Sequence, residues 1–425
     1  MKYKFLFEYI HKGFRVNNGY IRNDYITKII LSIGSNTIKV LSGVRRVGKS
    51  YILKQTIDHL IKEKNININN IFYIHLEDER LNNISINQLR EIWEEYKSYY
   101  YKSGVIYAFF DEIQNISSWE KFIRNLQETF EDNIQIFITG SNSNLLSSEL
   151  STVLTGRYIK FEIYPFSFSD YLGLKNIVLS EFDSRKYELF EDYIKYGSLP
   201  EVIKINDNEI KTNYLKSLTE SIIFKDIVQR YNIKKTQFLE SLLIYIYKTT
   251  CSNLSINSIV KYLKQEYKTL DYETVNSYID NITNTFLINN LPSIADKTKH
   301  ILKGKNKFYA IDTGIRNIYS NNFDIEKILE TFVFIELKRQ GYEVQNIEGD
   351  NFEIDFIAKK DNDIKLIQVS YTLTSQSTFE REINALKKSN LSYEKIILTM
   401  DKINNNIDGI KIINIVDFIL NENFK

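Results

Sequence analysis

The chain has 425 residues, too many for one ordinary core and suited to roughly three domains of about 150 residues each; its 43% hydrophobic and 26% charged residues fit a folded globular protein. Lysine plus arginine numbers 55 against 54 for aspartate plus glutamate, which excludes a chain-wide positive field for nucleic acid or anionic lipid. A single cysteine, Cys251, excludes an internal disulfide framework, and His11, His59, His75 and His300 lack zinc-ligand spacing. The start MKYKFLFEYIHKGF has no signal-peptide pattern, and no apolar run approaches the roughly 18 residues of a membrane helix. A reducing cytoplasm and no membrane partner are expected.

From residue 38 to 165, short apolar runs alternate with stretches of helical period. IKVLSG (38–43) precedes a helix from Lys49, and IFYIHL (71–76) precedes a helix through Trp93. VIYAFF (105–110), a helix from Ser118, IQIFITG (134–140) and YIKFEIY (158–164) continue the alternation. Strands apolar on both faces and separated by helices predict a parallel sheet covered on two sides. The fold class is therefore α/β, with a P-loop type domain over 1–165. Residues 166–235 read as a helical connector or lid. Three helical stretches and two extended pieces over 236–315 fit a winged helix-turn-helix, and 316–425 reads as a mixed α/β domain.

After IKVLSG comes Gly43-Val44-Arg45-Arg46-Val47-Gly48-Lys49-Ser50, followed by Tyr51 and the rest of a helix. This is GxxxxGK[ST] in its strand-loop-helix setting, the Walker A loop. Gly43 and Gly48 let backbone N–H groups face a polyphosphate, and the helix N-terminus adds its positive end. Lys49 is expected on the β- and γ-phosphates of ATP and Ser50 on Mg²⁺. The run 105–110 ends in Asp111-Glu112, the Walker B arrangement. Asp111 is expected to position Mg²⁺ and Glu112 to polarise the attacking water as general base. The following strand ends Thr139-Gly140-Ser141-Asn142, where Asn142 is either a sensor of the γ-phosphate or a turn residue. Arg45 and Arg46 face either nucleotide or a neighbouring molecule.

These stretches, with FFDEIQNISSWEKFIRNLQ, ITGSNSNLLSSELSTVLTGRYIKFEIYPFSFSDYL, YGSLPEVI, KFYAIDTGIRN, ILETFVFIELKRQGYEV, EIDFIAKK and IQVSY, resemble the prokaryotic AAA-like ATPases that carry a C-terminal domain related to restriction endonucleases. The resemblance implies ATP binding and hydrolysis, a winged-helix module and a nuclease-like terminal fold. In related hexameric ATPases an arginine just before the fifth strand enters the neighbouring subunit's site. Arg157 stands there, and the alternative is a surface ion pair; Arg124 is a weaker candidate. A homo-oligomer is open.

The restriction-endonuclease-like pattern needs a helical acid, a central Asp and Glu/Gln-x-Lys. Glu330 or Glu336 fits the first, Asp355 the second and Gln368 the third, but Ser370 stands where the lysine belongs, and strand alternation turns Lys365 away. A degenerate binding or docking module is expected, with an active nuclease and a simple scaffold as alternatives. DKTKHILKGKNK (296–307) holds five lysines and His300, and as a wing could contact DNA phosphates without reading sequence. YETVNSYIDNIT would be the helix offered to a groove. Protein contact is the other reading.

Overall fold

The computed structural model describes residues 2–11, 19–143, 154, 156–180, 182–268, 270–295, 301–320, 323–349, 351–389 and 391–420. It divides into two compact units, residues 1–163 and 164–425.

In the first unit, strands β1 (Ile38–Ser42), β2 (Ile71–His75), β3 (Ile106–Asp111), β4 (Ile134–Gly140) and β5 (Tyr158–Glu162) form a parallel sheet of order β2-β3-β4-β1-β5. Strands β1, β3 and β4 are buried along their whole lengths, as residues apolar on both faces require. Helices α1 (Lys4–His11), α2 (Asn23–Leu31), α3 (Lys49–Lys62), α4 (Ile86–Tyr99) and α5 (Trp119–Phe130) belong to this unit. Phe72, Trp93, Tyr96, Phe110 and Phe122 knit part of its core. Register pairs Ser42 with Gly140 and Phe110 with Ile138, so β1, β3 and β4 end together on one edge of the sheet.

The second unit begins with helices α6 (Phe168–Leu174), α7 (Arg185–Tyr196), α8 (Pro200–Lys204) and α9 (Asn208–Ile222). α9 runs on into a π-helix, Ile223–Gln229. Helices α10 (Thr236–Lys248), α11 (Ile256–Leu263) and α12 (Tyr272–Asn284) precede an antiparallel pair, β6 (Ile288–Ala295) and β7 (Ile301–Ala310). α13 (Thr313–Tyr319) and α14 (Ile325–Arg339) lead into β8 (Glu343–Glu348), β9 (Glu353–Lys360) and β10 (Asp363–Ser370). Then come α15 (Gln376–Lys388), β11 (Glu394–Thr399), β12 (Asn405–Ile407), β13 (Ile410–Asn414) and α16 (Ile415–Leu420).

The β6–β7 pair is not a free-standing wing. Ser293, Ile294 and Ala295 of β6 pair in parallel with Asn346, Ile347 and Glu348 of β8, giving one sheet of order β12-β13-β11-β10-β9-β8-β6-β7. The boundary expected at 315/316 therefore separates strands of a single sheet. Hydrophobic periodicity reveals each strand but carries no record of which strand is its neighbour. Among the described residues no helix is long and apolar enough to cross a membrane.

Candidate functional site

The phosphate loop is shaped by two glycines. Gly43 has φ +155°, and a Cβ there would lie 2.4 Å from the Ile163 carbonyl oxygen, so only glycine fits. Gly48, at φ +103°, is the N-cap of α3, and Lys49 and Ser50 are that helix's first two residues. Arg46 also takes a left-handed conformation, at φ +67°. Val44 and Val47 are wholly buried and anchor the loop, while Tyr51 is exposed. The buried Lys49 Nζ donates to the carbonyls of Gly43 (3.0 Å) and Val44 (3.2 Å) and lies 3.5 Å from Glu112 Oε1. The ammonium is thus folded back on its own loop, where polyphosphate oxygens compete for the same donors.

Asp111 closes β3 and is inaccessible to solvent. Its Oδ1 accepts from the Thr139 hydroxyl (2.5 Å) and its Oδ2 from the Tyr73 hydroxyl (3.1 Å). Thr139 also accepts the Glu112 backbone N–H (2.9 Å), so one side chain at the end of β4 holds both acidic residues. Glu112 is left-handed at φ +58°, and its carboxylate faces Lys49 at 3.5 Å. Burial by itself would push the Glu112 carboxyl up, but Lys49, Gln114 and Arg45 together hold it below the ordinary carboxylate range. Gln114 Nε2 donates to Glu112 Oε2 (2.5 Å) and to Ser141 Oγ (3.3 Å). Asn142, expected as either a sensor or a turn residue, is buried just past the end of β4.

Thr139 and Gln114 are the residues that sequence reasoning passed over as side chains with a specific partner. Both lie next to recognised motifs, but only the register between β3 and β4 reveals the bond of Thr139 to Asp111. The Asp111 carboxylate and the Ser50 hydroxyl are hard oxygen donors and fit Mg²⁺. Replacing Thr139 by valine leaves a buried carboxylate short of a donor. The expected result is a first-unit stability lower by about 1–3 kcal/mol, measured by urea unfolding, together with weaker Mg²⁺ dependence of nucleotide binding.

The arginines divide. Arg45 pairs with Glu77 through both guanidinium nitrogens (2.6 and 3.3 Å), and Arg46 is exposed. Arg157 donates to Glu128 (2.8 Å), which Arg124 also contacts (2.9 Å). The Arg157 carbonyl accepts from Ile38 N–H at the start of β1. That places Arg157 at the sheet edge opposite the phosphate loop, about 13 Å away along β1 at roughly 3.3 Å per residue. Its side chain is turned to Glu128, so the expectation narrows to a surface ion pair or a role in another molecule's site.

In the second unit the structure brings together Glu330, Asp355 and Gln368 and sets Glu336 apart. Glu336 pairs with Arg339 and accepts from Gln340 (2.9 Å). The Asp355 N–H donates to Gln368 Oε1 (2.7 Å), and its Oδ2 accepts from Val369 N–H (3.0 Å). Gln368 Nε2 donates to the buried Glu382 (2.7 Å), which Arg381 holds through two nitrogens. Lys365 pairs with Asp363 and faces Tyr342 and Glu394, away from Asp355. The unforeseen member is Lys307 of β7. Its buried Nζ lies 2.6 Å from Glu353, 3.0 Å from Glu330 and 3.5 Å from Asp355. The Tyr309 hydroxyl donates to Glu330 (2.7 Å). Burial, reinforced by Asp355, pushes the Glu330 carboxyl up to about 7. For Lys307, burial opposes the charge, but the surrounding carboxylates raise the ammonium well above its ordinary value.

These contacts take Lys307 out of the expected lysine patch. Lys307 is buried and Lys305 pairs with Glu348, while 296–300 lie outside the described residues. α12 carries no lysine or arginine, and its solvent side presents Glu273 and Asp280. α11 and the turn after it present Lys261, Lys264 and Lys268, with Tyr262 exposed and packed on Tyr245 at 4.4 Å between ring centroids.

Residues 35–172 match the family described as an AAA domain, and 187–326 match a domain of unknown function, DUF8612. An uncharacterised protein of Haemophilus influenzae is 35% identical over 405 residues, covering 94% of this chain and 98% of its own. One from Methanocaldococcus jannaschii is 37% identical over 386 residues, covering 87% and 81%. A solved structure, the Walker-type ATPase of Pyrococcus abyssi, is similar in fold, with TM-score 0.50 at 15% identity over 71% of this chain and 95% of that one.

Proposed function

The chain belongs to the same family as the Haemophilus influenzae and Methanocaldococcus jannaschii proteins, with an AAA domain at 35–172, and from that premise we propose that it is a Mg²⁺-dependent ATPase whose nucleotide cycle controls its own residues 164–425. The observation that carries this reading is the buried constellation at one sheet edge: Lys49 beside Glu112, and Asp111 held by Thr139. Lys49 and the loop N–H groups bind the phosphates. Ser50 and Asp111 would hold Mg²⁺, which when bound would supply charge neutralisation on the phosphates. Glu112, kept ionised, accepts a proton from the attacking water, and Gln114 fixes its carboxylate. Lys49, Gln114 and Arg45 hold Glu112 below its ordinary value, so it is already ionised at neutral pH when the nucleotide arrives.

For 164–425, the order α10–α11–α12–β6–β7 supports a winged-helix kinship, and α14–β8–β9–β10–α15–β11 supports a nuclease-like one. The favoured output is nucleic-acid phosphate contact through Lys261, Lys264 and Lys268 with Tyr262, since α12 lacks the cations a groove-reading helix uses. The acidic side of α12 specifically favours a second reading, a nucleotide-gated protein contact. Replacing the three lysines by glutamine separates them. The first reading expects salt-sensitive DNA retention by the wild type that falls by at least tenfold in the variant, together with DNA-stimulated turnover. Turnover indifferent to DNA but rising per molecule with protein concentration supports the second, with Arg157 acting between copies.

A further inference from the structure

A nuclease-like site holds divalent metal between a helical acid and strand acids, and here that place is filled from within. Three carboxylates from two elements, Glu330 on α14 and Glu353 and Asp355 on β9, converge on the one Nζ of Lys307. The lysine side chain is 3% exposed and comes from β7, at the far end of the eight-stranded sheet, yet it reaches all three acids. An ammonium is a compact charge with three N–H donors, and here each has an acidic oxygen within 3.5 Å. A Mg²⁺ ion would need oxygens at about 2.0–2.1 Å. The ammonium and such an ion cannot share this volume. Among the described residues no group of three or more carboxylates, histidines or cysteines is arranged to hold a metal.

We propose that Lys307 is a built-in counter-cation that takes the place of a divalent metal between Glu330, Glu353 and Asp355, making the terminal domain metal-independent, and that removing its ammonium opens a divalent-cation site. The same ion set fastens the β6–β7 hairpin to α14 and β9, so the winged-helix-like part and the terminal strands are joined by charge as well as by the β6–β8 pairing. This inference stands on the cluster alone and does not depend on the ATPase reading.

The test is Mn²⁺ binding by the full chain without nucleotide, followed by electron paramagnetic resonance of free Mn²⁺. Wild type, Asp355→Asn, Lys307→Met and Lys307→Met/Asp355→Asn are compared, so that Mn²⁺ taken up elsewhere cancels. The expected result is equal binding by wild type and Asp355→Asn, one additional Mn²⁺ per chain in Lys307→Met, and return to the wild-type level in the double variant. Weaker binding by Asp355→Asn than by wild type overturns the proposal, because the native cluster would then hold metal beside the ammonium. A folded Lys307→Met that binds no additional Mn²⁺ overturns it equally. If Lys307→Met does not fold, Lys307→Gln takes its place, and the wild-type and Asp355→Asn pair decides the claim by itself.

Discussion

Replacing Glu112 by glutamine is expected to lower ATP turnover by about 10²–10⁴-fold while leaving ATP bound. The change keeps the side chain's size and removes its basicity, so the attacking water loses its proton acceptor. It also removes a negative charge 3.5 Å from the Lys49 ammonium. Without that carboxylate, Lys49 is freer to meet the phosphates and the site is less repulsive to them. ATP affinity should therefore be equal to or tighter than that of the wild type, by equilibrium binding of a fluorescent nucleotide. A variant that loses binding and turnover together would mean that Glu112 shapes the loop and is not the base.

The second large effect is expected far from the nucleotide. Lys307→Ala leaves Glu330, Glu353 and Asp355 facing one another without their cation. Removing one partner of a buried ion set costs about 3–5 kcal/mol, of which the 39%-exposed Glu353 contributes little, and Glu330 and Asp355 should make the second unit unfold earlier in urea with metal chelated. Because Glu330 is already pushed up to about 7, it can take a proton when the lysine is gone, so the loss should shrink on moving from pH 8 to pH 6. Adding Glu330→Gln to Lys307→Ala should recover part of the loss, a coupling that two independent sites would not show. A loss below about 1 kcal/mol, as for an exposed pair, would contradict the burial and spacing of this cluster.

Much of the first unit was legible in the residues. The strands of the parallel sheet are read from apolar runs, and the phosphate loop from GVRRVGKS, because glycine at fixed spacing before a helix answers one specific backbone need. Asp111 and Glu112 were legible for the same reason, at the end of a buried strand. Thr139 was visible only as one of four short polar residues, since its bond to Asp111 depends on register across strands. Arg157 was legible as a position but not as a partner of Glu128.

Glu330 could not be separated from Glu336 by sequence, because both fit the same helix; only the neighbours, Lys307 for one and Arg339 for the other, tell them apart. A lysine beside the acids was sought at Ser370 and along its own strand. The lysine that meets Glu330 and Asp355 stands on β7, more than sixty positions earlier, inside a run that reads as solvated charge. A lysine-rich segment says nothing of which member will turn inward. The β6–β7 hairpin likewise reads as a free-standing wing until the β6–β8 pairing is seen.

The most direct test of the central claim is Mg²⁺-dependent ATP turnover by wild type and Lys49→Ala over a range of protein concentrations. Turnover by the wild type is expected to require Mg²⁺ and to be lost in Lys49→Ala, because the one buried ammonium of the phosphate loop is gone. Turnover that persists in Lys49→Ala, or none in the wild type despite tight ATP binding, would contradict hydrolysis at this site.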